Sequence, residues 1–142
     1  MTTPTAPITA TLNPPTNPSP ALIAQHLRAN LLSVFNERDP AARRLAINTT
    51  YAPNVVWHEP GATYVGHEAI FTRAGELLAQ NPGWSYVPVG QPSSVANAGV
   101  LRFAFGPAGQ EPVVHGTDVV IVQDGLVVAL WTAIEGPEGQ QA

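Results

Sequence analysis

Two short segments each supply one carboxylate in an apolar setting: Trp57-His58-Glu59-Pro60-Gly61 and Val114-His115-Gly116-Thr117-Asp118-Val119-Val120-Ile121-Val122. An ionised carboxylate within an apolar strand is costly to bury, so such a group is paired, protonated or put to use. If Glu59 and Asp118 face one cavity, they suit acid/base chemistry on a small apolar molecule. One would abstract or shuttle a proton; the other would donate a hydrogen bond to a developing oxyanion. Which carboxylate takes which part is open. Strand alternation places Val55, Trp57 and Glu59 on one face, with Val56 and His58 on the other. A slip of one residue would turn His58 to the cavity instead, so His58 stays among the candidate ligand contacts. Asp118 shares its face with Val114, Gly116, Val120 and Val122. His115, Thr117, Val119 and Ile121 share the opposite face, a pattern suited to an outer sheet surface covered by a second subunit.

Aromatic bulk for a core or a pocket wall comes from Trp57, Trp84, Tyr86, Phe103, Phe105 and Trp131. Of these, Trp57, Trp84, Tyr86 and Phe103 are candidate substrate contacts, with Leu31 from the first helix. His26 and His67 lie on helices and read as surface or capping residues. Arg102, within Val100-Leu101-Arg102-Phe103-Ala104-Phe105, needs a carboxylate or solvent.

The elements that must position these groups follow from periodicity and punctuation. Ser19-Pro20 is a cap-and-proline helix start, after which Ile23, Leu27, Leu31, Val34 and Phe35 recur at helical spacing towards Arg38. Asp39-Pro40 opens a second helix, with Leu45 and Ile47 as expected anchors. Val55 to Glu59 reads as a strand closed by Pro60-Gly61, and Tyr64-Val65 as a short return strand. Gly66 leads into a third helix with Ile70, Ala74, Leu77 and Leu78 on one stripe. Four strand-like runs follow: Trp84 to Val89, Val95 to Phe105, Val113 to Val122 and Leu126 to Ile134. Asp124-Gly125 between the last two is a tight hairpin signal. Helices first and an antiparallel meander last argue for an α+β fold.

With 142 residues, the chain suits one well-filled core and is too short for two ordinary domains. The expected division is an extended or disordered Pro/Thr-rich arm over residues 1–18, one domain over 19–136 and a flexible tail over 137–142. Charged residues make up only 11% of the chain, which implies much neutral or apolar surface, as a dimer interface or a ligand pocket would give. A net charge of −4 without a basic run excludes an electrostatic footprint for nucleic acid. The first twenty residues carry neither a basic start nor an apolar run, so they read as neither a signal peptide nor a membrane span. With no cysteine in the chain, thiol chemistry, disulfides and zinc–thiolate sites are excluded, in keeping with a cytoplasmic location. There is no lysine for a Schiff base, no Gly-x-Ser-x-Gly and no phosphate-binding loop. His58, Glu59, His115 and Asp118 are suitable ligand types but lack metal-ligand spacing, so neither metal nor cofactor is expected.

Tyr51-Ala52-Pro53-Asn54-Val55-Val56-Trp57-His58-Glu59-Pro60-Gly61, then Gly66-His67-Glu68-Ala69-Ile70, then Gly116-Thr117-Asp118-Val119-Val120-Ile121-Val122-Gln123-Asp124-Gly125 carry a resemblance. Over about residues 21–135 the chain resembles the nuclear transport factor 2-like superfamily, in its SnoaL-like branch of polyketide cyclases and ketosteroid isomerase-related proteins. The resemblance implies a cone-shaped fold, three N-terminal helices packed on a curved, mainly antiparallel sheet, and a homodimer through the outer sheet face. Because that fold hosts isomerases, cyclases, epoxide hydrolases and non-catalytic binders, reaction must be argued from the site. In ketosteroid isomerase the general-base aspartate precedes a proline at the end of the first strand; Glu59 before Pro60 matches that place. Its protonated oxyanion-hole aspartate lies on a late strand, as Asp118 does. Its helix tyrosine has no counterpart around Leu31; Tyr86 brings a hydroxyl in its stead. SnoaL-type cyclases also use a carboxylic base, so Asp118 itself could be the base. An epoxide-hydrolase-like site would set an arginine between carboxylates, but no Arg-x-Asp follows from Arg102, and Thr132 stands where the last-strand acid would be. The expected function is therefore a cofactor-independent isomerase or cyclase acting on a small apolar carbonyl compound. The alternative is a non-catalytic binder of a small hydrophobic ligand.

Overall fold

Helix starts form where cap and proline coincide. Ser19 Oγ accepts the Leu22 N–H at 3.1 Å, with Pro20 at the first helical position, and α1 spans Pro20–Ala29. Asp39 Oδ2 accepts the Ala42 N–H at 2.9 Å ahead of α2, Pro40–Thr50. The computed structural model describes residues 16–136, so the expected tail over 137–142 and all but the last three residues of the expected arm lie outside the described residues.

The first helix does not run unchanged to its end. Asn30–Phe35 continues α1 as a π-helical turn, and Asn36 N–H donates to Leu31 O five residues back at 3.1 Å. The wider winding turns Asn30, Leu31, Val34 and Phe35 inward together, extending the stripe begun by Ile23 and Leu27.

In α2 the expectation for Leu45 fails: its side chain is 68% exposed. Starting the helix at Pro40 puts Arg43, Ile47 and Thr50 on the buried face, and Leu45 lies two residues from Arg43, about 200° around the helix. The chain then enters β1 (Tyr51–Glu59) without a loop, followed by β2 (Ala62–Val65) and α3 (His67–Gln80). In α3, Ile70, Ala74 and Leu78 are buried.

The remaining strands are β3 (Trp84–Val95), β4 (Ala98–Pro107), β5 (Val114–Gln123) and β6 (Leu126–Ile134). Sheet order is β2-β1-β6-β5-β4-β3, with β1 and β6 parallel and the other neighbours antiparallel. Pro88 and Pro92 are tolerated because β3 is an edge strand, and its pairing with β4 shifts register between Val89 and Ser93. Asp124 and Gly125 both have positive φ, 51° and 82°, as the two-residue hairpin between β5 and β6 requires.

The result is an α+β fold with three helices on one face of a curved, mostly antiparallel six-stranded sheet. The core lies between the layers, where Ile23, Leu27, Leu31, Ile47 and Ile70 meet Trp57, Leu101, Phe103, Val120 and Leu130. At Gly99 on β4 a Cβ would overlap the Ile23 side chain, so that side chain of α1 rests directly on the β4 backbone. No helix among the described residues is long and apolar enough to cross a membrane.

Candidate functional site

Glu59 ends β1 and Asp118 sits in mid-β5, and both line one cavity of about 390 Å³ between the helices and the sheet. Leu31, Trp57, Trp84, Tyr86 and Phe103 line it as well. Phe35, Leu77, Asn81, Phe105, Val114, Thr132 and Ile134 complete the wall, so it is mostly aromatic and aliphatic. Phe103 reaches the cavity because its facing neighbour on β5 is Gly116, where a Cβ would stand 2.5 Å from Phe103 Cζ.

His58 is the exception among the expected contacts. The β1 register, Trp57 opposite Tyr64 and His58 opposite Thr63, keeps Glu59 with Trp57 and sends His58 to the other face. There His58 Nδ1 lies 3.0 Å from Thr63 Oγ1, and its ring stacks on Trp131 with centroids 5.5 Å apart. Trp131 therefore belongs to the outer surface and not to the core or wall. His115 is also exposed on that side, and Arg102 pairs with Glu135 at 2.8 Å, away from the carboxylates of the cavity. His26 departs from the surface reading: it is buried, with Nε2 2.7 Å from the carbonyl of Gly125 in the β5–β6 hairpin.

The two carboxylates have opposite surroundings. Glu59 Oε1 accepts from Arg73 Nε at 2.8 Å and from the Tyr64 hydroxyl at 2.6 Å. Arg73 extends from α3 and also lies near Glu76. Oε2 of Glu59 has no hydrogen-bond partner among the described residues. Asp118, by contrast, faces no cation among the described residues. It is 4% exposed, and loss of solvent pushes its carboxyl up to about 7, against the opposing pull of hydrogen bonds from Thr132 and Asn30. Those bonds run from Thr132 Oγ1 to Oδ1 at 2.8 Å and from Asn30 Nδ2 to Oδ2 at 2.9 Å. Trp57 Nε1 donates to Thr132 Oγ1 at 3.0 Å, and the Tyr51 hydroxyl donates to Asn30 Oδ1.

Tyr86 stacks on Phe105 with ring centroids 4.0 Å apart, and its hydroxyl makes no hydrogen bond among the described residues. Burial raises its phenol above the ordinary range, and the charges of Asp118 and Glu59 add to the effect. The strand is held in place by Asn36, which accepts from the Tyr86 N–H at 2.6 Å and donates to its carbonyl at 2.8 Å. Arg38 donates to the carbonyls of Leu78, Asn81 and Trp84, locking the end of α3 to the start of β3 at the cavity rim. No group of three His, Asp or Glu side chains among the described residues is arranged to hold a metal ion.

Around the two carboxylates, Asn30, Tyr51, Tyr64 and Arg73 carry no role in the sequence analysis, and Thr132 enters it only as the place where a last-strand acid is missing. Two had a visible signal. Asn30 is a polar residue on the apolar stripe of the first helix, three residues after Leu27. Arg73 is the lone arginine of α3, three residues after buried Ile70. The others depend on cross-strand and helix-to-sheet contacts.

The family model of the SnoaL-like domain matches residues 29–130. Among solved structures, a candidate isomerase of the SnoaL-like family from Agrobacterium tumefaciens superposes with a TM-score of 0.76 at 21% identity, covering 82% of this chain and 99% of that one. A candidate polyketide cyclase from Sinorhizobium meliloti gives 0.61 at 18% identity, covering 76% of this chain and 93% of that one. A candidate ketosteroid isomerase from Kribbella flavida gives 0.63 at 13% identity, covering 82% and 80%. At these identities the structures share a fold with this chain. No curated protein matches its sequence.

Proposed function

The chain belongs to the SnoaL-like domain family, and from that premise we propose that it is a cofactor-independent isomerase or cyclase acting on a small apolar carbonyl compound. The observation that carries this reading is the contrast between two carboxylates on one cavity: Glu59 beside a guanidinium, Asp118 buried without a cation. Environments that differ in this way divide acid from base. Glu59 abstracts the proton through its free Oε2, and neutral Asp118 donates to the enolate oxygen. The Tyr86 hydroxyl, in the same wall, supplies a second donor in place of a helix tyrosine. Trp57, Trp84, Phe103 and Leu31 exclude water, which strengthens each of these interactions.

The test is hydrogen–deuterium exchange, followed by NMR, at the activated carbon of cyclic β,γ-unsaturated ketones and β-diketones in D2O. The protein is expected to accelerate exchange, and Glu59→Gln and Asp118→Asn each to lower the rate by roughly 10²–10³. Ketones that bind without enhanced exchange would establish the alternative, a non-catalytic binder of small hydrophobic ligands, which the mainly apolar wall favours.

A homodimer through the outer sheet face belongs to the same reading. Thr117, Val119 and Ile121 lie there on β5, with half-exposed Trp131 on β6. Sedimentation at micromolar concentration is expected to give a dimer, and Trp131→Glu a monomer with the same helix and strand content. A monomeric wild-type protein overturns this assembly.

A further inference from the structure

We propose that Tyr51 and Trp57 are positioning residues that fix the direction of two hydrogen-bond chains ending on Asp118, so that the Asp118 proton points into the cavity. One chain runs from the Tyr51 hydroxyl to Asn30 Oδ1 and from Asn30 Nδ2 to Asp118 Oδ2. The other runs from Trp57 Nε1 to Thr132 Oγ1 and from Thr132 Oγ1 to Asp118 Oδ1. Each oxygen of the carboxyl group thus meets one protein donor.

The direction of each chain is set at its far end. An indole N–H can only donate, so Trp57 occupies an acceptor position of Thr132. Were the Asp118 proton aimed at Thr132 as well, the threonine hydroxyl would have to turn its own hydrogen towards apolar walls, leaving a donor unpaired. The Asn30 amide could be turned over in the same space, offering Oδ1 to Asp118 and Nδ2 to Tyr51. The Tyr51 hydroxyl, which is fully buried, would then lose the acceptor of its proton. With both neighbours held as donors, a proton on Asp118 has the cavity as its remaining direction, where a carbonyl or ether oxygen of a ligand can accept it. That last consequence rests on the proposed function; the direction of the chains does not.

The titratable groups facing Asp118 are Tyr51 from β1 and Tyr86 from β3, both phenols raised by burial and by the Asp118 charge. Glu59 from β1 lines the same cavity and is paired with Arg73 of α3. Neither phenol titrates near neutrality, and Glu59 is retained in every variant below.

The chain has three aspartates, Asp39, Asp118 and Asp124, so carboxyl-¹³C labelling of aspartate resolves the Asp118 titration by NMR in ligand-free protein. Tyr51→Phe frees the Asn30 amide to turn and accept the proton, and is expected to raise the Asp118 midpoint by roughly one pH unit. Trp57→Phe is expected to raise it by a smaller step, because a Thr132 hydroxyl no longer polarised by the indole N–H donates more weakly to the Asp118 carboxylate. Asp39 and Asp124 are expected to be unchanged in both. In an Asn30→Leu background the Tyr51→Phe substitution is expected to have no further effect, since its influence travels through the amide. Unchanged midpoints in both single variants overturn the proposal, as does an undiminished Tyr51 effect without Asn30. If Asn30→Leu does not fold, the two single variants decide. Midpoints that move as expected in a protein without ketone exchange would refute the catalytic reading and leave this one standing.

Discussion

Between pH 4 and pH 8 the free energy of unfolding is expected to fall by up to about 4 kcal/mol through Asp118, and that fall is expected to be absent in Asp118→Asn. The folded-state value of about 7 lies roughly three pH units above the ordinary 3.8, and each unit corresponds to about 1.4 kcal/mol. The sign follows from proton counting. Between these two values the folded protein holds a proton on Asp118 that the unfolded chain has released, so stability drops as pH rises. The stability associated with the neutral carboxyl is complete below about pH 4 and lost as pH passes through 7. Above that the contribution is flat. Carboxylates held by cations slope the other way: exposed Glu68, held low by its hydrogen bond from Arg44, is one. The difference between wild type and variant is therefore the quantity to measure, by urea unfolding at a series of pH values. Parallel profiles for the two proteins would show that Asp118 titrates as an ordinary aspartate and is not sequestered.

Trp57→Ala is expected to destabilise the domain by about 3–5 kcal/mol, the range for removing a large buried aromatic side chain. Trp57 is 2% exposed, meets Phe35 edge-on at 5.0 Å between centroids and stacks on Tyr64 at 4.8 Å. Its loss would open the cavity wall and also remove the donor to Thr132. Trp57→Phe keeps most of the packing and is expected to cost less than half as much. Denaturant unfolding of the two variants separates these contributions: a loss below about 1 kcal/mol in Trp57→Ala would mean that the wall collapses around the gap. The two substitutions also differ in what they do to the site. The phenylalanine variant keeps an aromatic ring in the cavity wall and loses the donor to Thr132, whereas the alanine variant loses both.

The order of elements was legible because each rests on local chemistry. Ser19-Pro20, Asp39-Pro40 and Asp124-Gly125 set backbone starts and a turn within a few residues of themselves, independently of anything distant. The inward stripe Ile23, Leu27, Leu31, Val34 and Phe35 follows from helical spacing, although the π-helical turn that carries its second half had no local marker. Leu45 is apolar at a helical position, yet the packing of α2 turns Arg43, Ile47 and Thr50 inward in its place.

For the site, the residue types at Glu59 and Asp118 and their strand settings were readable from the chain, because an acid among β-branched residues stands out wherever the strand lies. Tertiary structure decided three further matters. The pairing of β1 with β2 and β6 fixed the facing of Glu59 over His58, since a one-residue slip would have exchanged them. The approach of α3 to the end of β1 gave Glu59 its guanidinium. The junction of α1, β1, β5 and β6 placed Asn30, Tyr51, Trp57 and Thr132 in a directed network around Asp118. The sequence determined which groups could do chemistry, because side-chain identity and local periodicity are properties of neighbours along the chain. The proton state each group adopts depends on solvent exclusion and on donors up to 88 residues away, as between Asn30 and Asp118, and only the assembled layers bring those together.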